Sequence, residues 1–307
     1  MEIGLFAESA GLGDLDETLR RASSLGITRI ELSTGGQCSH PFLDVDQLLA
    51  DAGARRELQQ KLDGHGLRLT ALNISAYLLH PRIGAAQAEL TKKTMRLAGL
   101  LGVERIVAQS GTPGDVAGAG GPNWITYNWP PELLDTVRRQ WDEAIALWTD
   151  LAAYGATQGV TKICLELHAV NLIHNVPTLL RLRLAVGDAI GANFDPSHLM
   201  WQGMDIPACI RALGPAVFHV HIKDVARHRH NQALAGVIDS RPDIDFRDRP
   251  WYFCTPGYGH DARWWREFFV ALNDVGYDDV ASIENEDPYL PGIAGVERTV
   301  AFLKSVL

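Results

Sequence analysis

Ile163-Cys164-Leu165-Glu166-Leu167-His168 is the most informative stretch of this 307-residue sequence. Its first residues are apolar, as in a short buried strand, but a carboxylate and an imidazole stand at its end. Side chains alternate along a strand, so Glu166 and His168 share one face with Cys164, and the apolar residues take the other face. Ionisable groups at such positions indicate a functional site.

Three later segments repeat this combination of an apolar face and a polar end: Ile190-Gly191-Ala192-Asn193-Phe194-Asp195, Phe218-His219-Val220-His221-Ile222-Lys223 and Val280-Ala281-Ser282-Ile283-Glu284-Asn285-Glu286. Each of the four segments offers one strong ligand near its carboxyl end: Glu166, Asp195, His221 and Glu284. A single acidic residue at a strand end is more often a helix cap or an ion-pair partner. Four together predict a site for one divalent ion, with Mn²⁺ as the first choice and Mg²⁺, Co²⁺ or Zn²⁺ as alternatives.

Strands and helices alternate along the chain. Further strands are predicted at 3–7, 28–32, 67–73 and 105–109, and helices at 14–25, 45–62 with a break near Gly53, 85–101, 132–154, 177–185, 206–213, 261–275 and 293–305. Eight such units without a linker favour a single domain, 1–307, folded as a closed (β/α)8 TIM barrel. The alternative is a doubly wound open sheet, but no GxGxxG or GxxxxGK[ST] motif follows a strand. Active sites of such barrels lie at the carboxyl ends of the strands.

Two long excursions interrupt the pattern, and both follow predicted strands. Residues 110–131 are rich in Gly, Pro and aromatic residues, and Trp129 is a candidate to cover a bound substrate. The alternative is a surface excursion whose Trp side chains pack on the barrel rim. Residues 226–260 are polar and rich in Arg and His, which suits a lid or a partner interface equally.

Composition excludes several classes of function. A net charge of -9 and a pI near 5.6 argue against nucleic-acid and anionic-membrane partners, which usually require a basic face. The four cysteines are far apart, without a CxxC pair, so neither a disulfide scaffold nor a zinc knuckle is expected. The amino terminus lacks the features of a signal peptide, and we expect a cytoplasmic protein acting on a small molecule.

Three further side chains are candidates for the chemistry. His168 is the best general base because imidazole titrates near neutral pH, although a purely structural histidine is the alternative. His198, in Asp195-Pro196-Ser197-His198, can reach a substrate hydroxyl or stand behind the metal, unless Asp195 only caps the next turn. Lys223 can stabilise an enolate oxygen, unless it only pairs with Asp224.

Together these motifs resemble a known family. They are Glu166-Leu167-His168, Asp195-Pro196-Ser197-His198-Leu199, His219-Val220-His221-Ile222-Lys223-Asp224, Gly257-Tyr258-Gly259-His260 and Ser282-Ile283-Glu284-Asn285-Glu286-Asp287. The chain is similar, over nearly its whole length, to the xylose-isomerase-like TIM barrels known as sugar phosphate isomerases/epimerases. The resemblance implies one divalent metal held by Glu166, Asp195, His221 and Glu284, and a sugar chelated through adjacent oxygens. It also implies that Glu166 and Glu284 move protons on opposite faces of an enediolate.

One branch with similar motifs forms the larger, catalytic subunit of C-glycoside deglycosidases. These enzymes act on 3-keto C-glycosides, pair with a small β-rich subunit, and use a histidine that matches His168 as the base. The chain departs from its relatives at Asn73-Ile74-Ser75-Ala76-Tyr77, just before His80, and at Asn285. Both departures favour a more apolar substrate portion, such as an aryl group. His80 joins His198, Lys223 and Trp129 as a substrate-binding candidate.

The chemistry common to these interpretations is metal-assisted removal of a proton next to a carbonyl. Returning the proton elsewhere gives isomerisation or epimerisation, whereas losing a β-substituent gives elimination. Abasic-site endonucleases share the barrel, but they need a basic DNA-binding face that this acidic chain lacks. A non-catalytic binding protein stays open as an alternative, and a homo-oligomer is as compatible with the sequence as a partner subunit.

Overall fold

Eight parallel strands close into a barrel at the centre of the molecule, in a computed structural model that describes residues 1–127 and 129–307. The described residues form these eight strands and two more: β1 (Glu2–Phe6), β2 (Arg29–Ser33), β3 (Arg68–Ile74), β4 (Arg105–Gln109), β5 (Lys162–Glu166), β6 (Ile190–Phe194), β7 (Val217–Ile222), β8 (Asp224–Arg227), β9 (Trp251–Cys254) and β10 (Val280–Ile283). The barrel order is β1-β10-β7-β6-β5-β4-β3-β2, and β8 and β9 form a separate hairpin. The predicted (β/α)8 barrel is confirmed.

Helices surround the barrel. They are α1 (Leu15–Ser24), α2 (Val45–Ala50), α3 (Ala52–Gly64), α4 (Gly84–Leu100), α5 (Leu133–Thr157), α6 (Val176–Val186), α7 (Pro196–Met200), α8 (Ile206–Leu213), α9 (Arg229–Ala235), α10 (Ala262–Asp274) and α11 (Ile293–Val306). The break predicted near Gly53 within the helical stretch 45–62 is confirmed. The chain divides at Asp51, whose side chain accepts the Gly53 backbone N–H (2.6 Å) and starts α3. Nowhere in residues 1–127 and 129–307 does a helix combine the length and apolar character that crossing a membrane requires.

The interior of the barrel is divided into an apolar floor and a polar upper layer. Ala71, Val107 and Cys164 form a small buried cluster, with Phe218 packed against it. Side chains two residues further along a strand lie on the same face. Asn73, Gln109 and Glu166 therefore occupy the layer above this floor. The outward faces of the strands are apolar and pack against the helices.

The strands that carry the candidate ligands end earlier than predicted. The hydrogen-bonded ladders stop at Glu166, Phe194 and Ile283, whereas the sequence pattern extended them to His168, Asp195 and Glu286. At the first of these ends the His168 N–H donates to the Glu166 carbonyl (2.9 Å), so the chain turns. The side chains of Glu166, Asp195 and Glu284 therefore project from the points where strands pass into loops or helices.

The second excursion contains regular secondary structure of its own. It contains α9 and the antiparallel hairpin of β8 and β9, in which Asp224 lies opposite Cys254. The buried Asp224 carboxylate accepts the backbone N–H groups of Gly257 (3.1 Å), Gly259 (3.2 Å) and His260 (3.0 Å). This carboxylate fastens the end of the excursion to the barrel.

Gly99, in α4, marks a close approach of two elements and gives a test of the packing. A Cβ atom at this position would lie 2.0 Å from the backbone carbonyl oxygen of Gln158, at the end of α5. Because a backbone carbonyl cannot move aside cheaply, Gly99→Ala is expected to lower the free energy of unfolding by about 1–3 kcal/mol. The urea midpoint measures this loss.

Gly64→Ala is the matched control. This glycine is also helical, and a Cβ atom built on it meets nothing within 4 Å. Alanine has the higher helix propensity, so the control should hold or gain up to about 1 kcal/mol. Equal urea midpoints for the two variants would contradict the proposed contact between α4 and α5.

Candidate active site

Four strand ends bring Glu166, Asp195, His221 and Glu284 together. One ligand atom from each side chain lies within 4.8 Å of the others, and the first three residues are buried. The carboxyl ends of parallel barrel strands face the same way, so residues far apart in sequence meet there. The four ligands predicted from the sequence are therefore adjacent in space.

Two of the carboxylates have one oxygen held by the protein and the other directed at the cluster. Glu166 Oε2 accepts Gln109 Nε2 (2.8 Å), and Asp195 Oδ1 accepts the Ser197 backbone N–H (2.8 Å). Asp195 Oδ2 is buried and accepts no hydrogen bond from the described residues. Asp195 thus caps α7 with one oxygen and directs the other at the cluster, where Lys223 Nζ lies 3.0 Å away.

The chemistry of the donor set fits a divalent cation. His221 Nε2 faces the Glu31 carboxylate, so a neutral ring presents the Nδ1 lone pair to Glu284 Oε2 at 3.1 Å. A cation between these two acceptors removes their repulsion. In its absence the Glu31 and Glu284 carboxylates overcome the effect of burial and raise the pKa of His221 well above its usual range. A proton and a metal ion are alternative occupants of Nδ1.

Lys223 places a positive charge beside the cluster. Its Nζ lies 2.6 Å from Glu284 Oε2, 3.0 Å from Asp195 Oδ2 and 3.5 Å from Glu286 Oε2. Burial disfavours the charge, but these carboxylates outweigh burial and raise the pKa of Lys223. The alternative that Lys223 pairs only with Asp224 is wrong, because Asp224 binds the excursion instead.

Two histidines stand next to the carboxylates and differ in charge. His198 Nε2 lies 3.3 Å from Asp195 Oδ2 and 3.6 Å from Glu166 Oε1. Burial disfavours its charge, but these carboxylates raise the pKa of His198 to about 9. The His168 ring lies 4.1 Å from the His198 ring, and burial together with this neighbouring charge lowers its pKa to about 4. His168 is therefore the neutral member of the pair.

The contact between His168 and the Ala169 carbonyl group determines the tautomer of His168. Its Nδ1 faces the Ala169 carbonyl oxygen, which can only accept a hydrogen bond, so Nδ1 carries the hydrogen. The lone pair is then on Nε2. A neutral imidazole with a free Nε2 lone pair can accept a proton.

A cavity of about 340 Å³ lies at this end of the barrel. Among the predicted site residues, its walls include Glu166, His168, His198, Lys223 and Glu284. Asn73, Ser75 and Asn285 also line the cavity.

Two predicted substrate-binding residues lie elsewhere. Trp129 is 67% exposed and is absent from the cavity wall. His80 lies in the loop before α4, where its Nδ1 accepts the Arg82 N–H (3.1 Å). The sequence shows that both residues follow a strand, but the path of each loop carries them away from the cavity.

Two carboxylates that the sequence did not indicate belong to this region. Glu31, in β2, is fully buried and contacts His221, and Glu8, just after β1, lines the cavity. The signal for Glu31 was a carboxylate in the middle of a strand whose two faces are both buried. Glu8 lies in a short 3-10 turn, for which the sequence carries no clear signal.

The profile of the xylose isomerase-like TIM barrel family matches residues 19–306. This chain belongs to that family. The uncharacterized protein YfiH of Bacillus subtilis (strain 168) is 39% identical over 311 residues, covering 100% of this chain and 99% of YfiH. The two chains therefore match over almost their whole lengths.

Solved structures share the fold of this xylose isomerase-like barrel. D-psicose 3-epimerase with D-tagatose from Clostridium cellulolyticum H10 has a TM-score of 0.66 and 15% identity, covering 100% of this chain and 98% of that chain. The IOLI protein with a binding zinc atom has a TM-score of 0.66 and 20% identity, with the same coverage. At these identities the similarity shows a common fold.

The Glu8 carboxyl predicts a pH dependence of stability. Burial raises its pKa from 4.5 to about 7, although its Oε1 accepts the N–H groups of Ser33 (2.9 Å) and Phe42 (3.4 Å). The folded state then binds the proton more tightly than the unfolded chain, so this contribution to stability is present below pH 4.5 and is lost as the pH rises through 7. The loss amounts to about 1–3 kcal/mol.

Glu8→Gln removes the titration but retains an oxygen that can accept both N–H groups. Between pH 5 and 8, the thermal midpoint of the wild type should therefore fall relative to that of Glu8→Gln. Both proteins are measured in EDTA, so that metal binding adds no pH dependence of its own. Parallel profiles would show that Glu8 does not titrate in this range.

Proposed function

We propose that this protein is a divalent-metal-dependent sugar isomerase or epimerase that removes a proton next to the carbonyl of a keto sugar. The observation that carries the proposal is the meeting of Glu166, Asp195, His221 and Glu284 at one end of a closed barrel, beside a cavity of about 340 Å³. Membership of the xylose isomerase-like family supports it, as does the common fold with D-psicose 3-epimerase.

The four clustered residues would hold the ion through three carboxylates and one imidazole nitrogen. Oxygen-rich sets of this kind suit Mn²⁺, our first choice, as well as Mg²⁺ and Co²⁺. The zinc atom of the IOLI protein supports a divalent ion in this fold. When bound, such an ion polarises a carbonyl and stabilises the negative charge that develops next to it.

Glu166 and Glu284 are the proposed proton carriers. They approach the cavity from β5 and β10, which are separated in the barrel by β6 and β7, so a sugar between them presents opposite faces to the two carboxylates. Gln109 donates to Glu166 Oε2 and fixes the orientation of this carboxylate. Removal by one carboxylate and return by the other would invert the carbon.

Lys223 and His198 are the proposed binding groups for substrate oxygens. Both line the cavity, and both lie next to carboxylates that favour their charged forms. A buried ammonium or imidazolium directed at a carbonyl or hydroxyl oxygen orients the sugar and stabilises developing negative charge. Trp129 and His80 are left out of this proposal because neither reaches the cavity wall.

His168 supports a second candidate function, which is elimination from a 3-keto C-glycoside. Its Nδ1 donates to the Ala169 carbonyl, so Nε2 is a ready proton acceptor on the cavity wall. Removal of the proton next to the ketone gives the enolate, and cleavage of the C–C bond to the β-substituent then forms the unsaturated keto sugar. The electron pair of the broken bond leaves with the aglycone carbon, which takes up a proton in place of the one removed. In that case the chain would be the catalytic subunit of a C-glycoside deglycosidase, acting with a small β-rich partner.

Deuterium exchange separates these functions. The Mn²⁺-loaded protein is incubated in D2O with a free ketohexose and, separately, with a 3-keto C-glycoside, and both are followed by NMR. Epimerase activity places deuterium next to the ketohexose carbonyl, whereas deglycosidase activity releases the aglycone. Glu284→Gln should lower the exchange rate by about 10²- to 10⁴-fold, because a proton carrier is removed.

Histidine variants identify the base. His168→Gln should abolish elimination but leave ketohexose exchange within a few-fold of the wild type. His65→Gln, next to the carboxyl end of α3 and absent from the cavity wall, is the matched control and should change neither reaction. Full exchange by Glu284→Gln would refute the proposed role of the carboxylates.

A further inference from the structure

Glu31 is a buried carboxylate inside the barrel that contacts one candidate metal ligand from behind. Its side chain lies in the middle of β2 and is 0% exposed. Its Oε2 lies 2.8 Å from His219 Nε2, 3.0 Å from His221 Nε2 and 3.0 Å from Ser282 Oγ, and its Oε1 accepts Asn73 Nδ2 (2.8 Å). Both oxygens are therefore engaged by donors from four other strand positions.

The contact with Glu31 determines which nitrogen of His221 faces the cluster. A carboxylate can only accept, so the hydrogen of the imidazole is drawn to Nε2 and the lone pair remains on Nδ1. On the other side of the ring, Nδ1 lies 3.1 Å from Glu284 Oε2 and faces the candidate metal cluster. Without an acceptor behind it, the ring would be free to carry its hydrogen on Nδ1 and lose its ability to bind a cation.

The other partners of Glu31 keep it an acceptor. An ionised carboxylate buried alone in a barrel would be strongly destabilising. His219, Asn73 and Ser282 supply donors that stabilise its charge, and none of the three belongs to the candidate metal cluster. Of Glu31 and these three partners, only Asn73 lines the cavity. We therefore assign Glu31 a role toward His221 and not toward the substrate.

We propose that Glu31 is the positioning residue of the metal site, which holds His221 in the tautomer and orientation that bind the ion and raises the basicity of its Nδ1. This inference rests on the metal site of the proposed function. It adds a residue from β2, a strand that contributes no ligand.

A second metal ion is the competing explanation, because ligand atoms of Glu31, His219 and His221 also lie within 4.8 Å of one another. The contacts argue against it. The Nε2 atoms of both histidines converge on one carboxylate oxygen as hydrogen-bond donors, and Ser282 occupies that oxygen as well. All three residues are 0% or 1% exposed, and none lines the cavity. We therefore expect one ion per chain.

Metal affinity tests the proposal directly. Mn²⁺ binding to the full-length protein is measured by isothermal titration calorimetry for the wild type and for Glu31→Gln. The amide of glutamine offers both a donor and an acceptor, so it no longer enforces the hydrogen on His221 Nε2. We expect one Mn²⁺ per chain in both proteins and an affinity about 10- to 100-fold lower in the variant. The visible absorption spectrum of the Co²⁺-loaded variant should shift, because the imidazole ligand is altered.

Ser282→Ala is the matched control. It removes a donor from the same carboxylate oxygen but leaves the contact with His221 in place. Its Mn²⁺ affinity should stay within about three-fold of the wild type and its Co²⁺ spectrum unchanged, even if the thermal midpoint falls. Should Glu31→Gln fail to fold, Glu31→Asp takes its place, since its shorter side chain withdraws the carboxylate from His221, and its affinity loss should again exceed that of the control.

Three results would overturn the proposal: an unchanged Mn²⁺ affinity in Glu31→Gln, equal losses in Glu31→Gln and Ser282→Ala, or two ions in the wild type with one lost in Glu31→Gln. A wild type that binds no Mn²⁺ would refute the metal site itself, and with it this role of Glu31. Tight binding by a wild type that exchanges no deuterium would refute only the proposed function.

Discussion

The burial of several carboxylates at one end of the barrel is the constraint on which the rest of the structure depends. Glu31, Glu166 and Asp195 are almost completely excluded from solvent. Buried ionised groups are tolerated only where hydrogen bonds and opposite charges compensate for lost hydration. Lys223 and His198 supply part of this compensation. The geometry of the surrounding donors is therefore dictated by charge as much as by shape.

This requirement explains why the barrel interior changes character along its axis. The floor is apolar and filled by Ala71, Val107, Cys164 and Phe218, so it supports the fold without chemistry. One layer above it, amide and imidazole side chains replace hydrocarbon because each must donate to a carboxylate. Gln109 serves Glu166, and Asn73 serves Glu31. The polar layer stabilises the charges that the candidate site needs.

The second excursion completes the surroundings of the two cations. The Lys223 ammonium lies 4.7 Å from the centre of the Phe253 ring on β9, and the same ring makes an edge contact with His198 at 5.3 Å. An aromatic face attracts a cation while excluding water from it. Asp224, the residue after Lys223, binds the far end of this excursion, so adjacent residues carry the ammonium group and anchor the segment that covers it.

The order of the eight barrel strands and the clustering of the four candidate ligands followed from sequence alone, because apolar periodicity is a local property and the ends of parallel strands necessarily meet. Tertiary structure decided the rest. The inward direction of Glu31, the pairing of Lys223 with Asp195 and Glu284, and the distance of Trp129 and His80 from the cavity all depend on register, barrel closure and loop path. These are contacts between residues far apart in the chain, such as Glu31 and His219, and no local pattern encodes them.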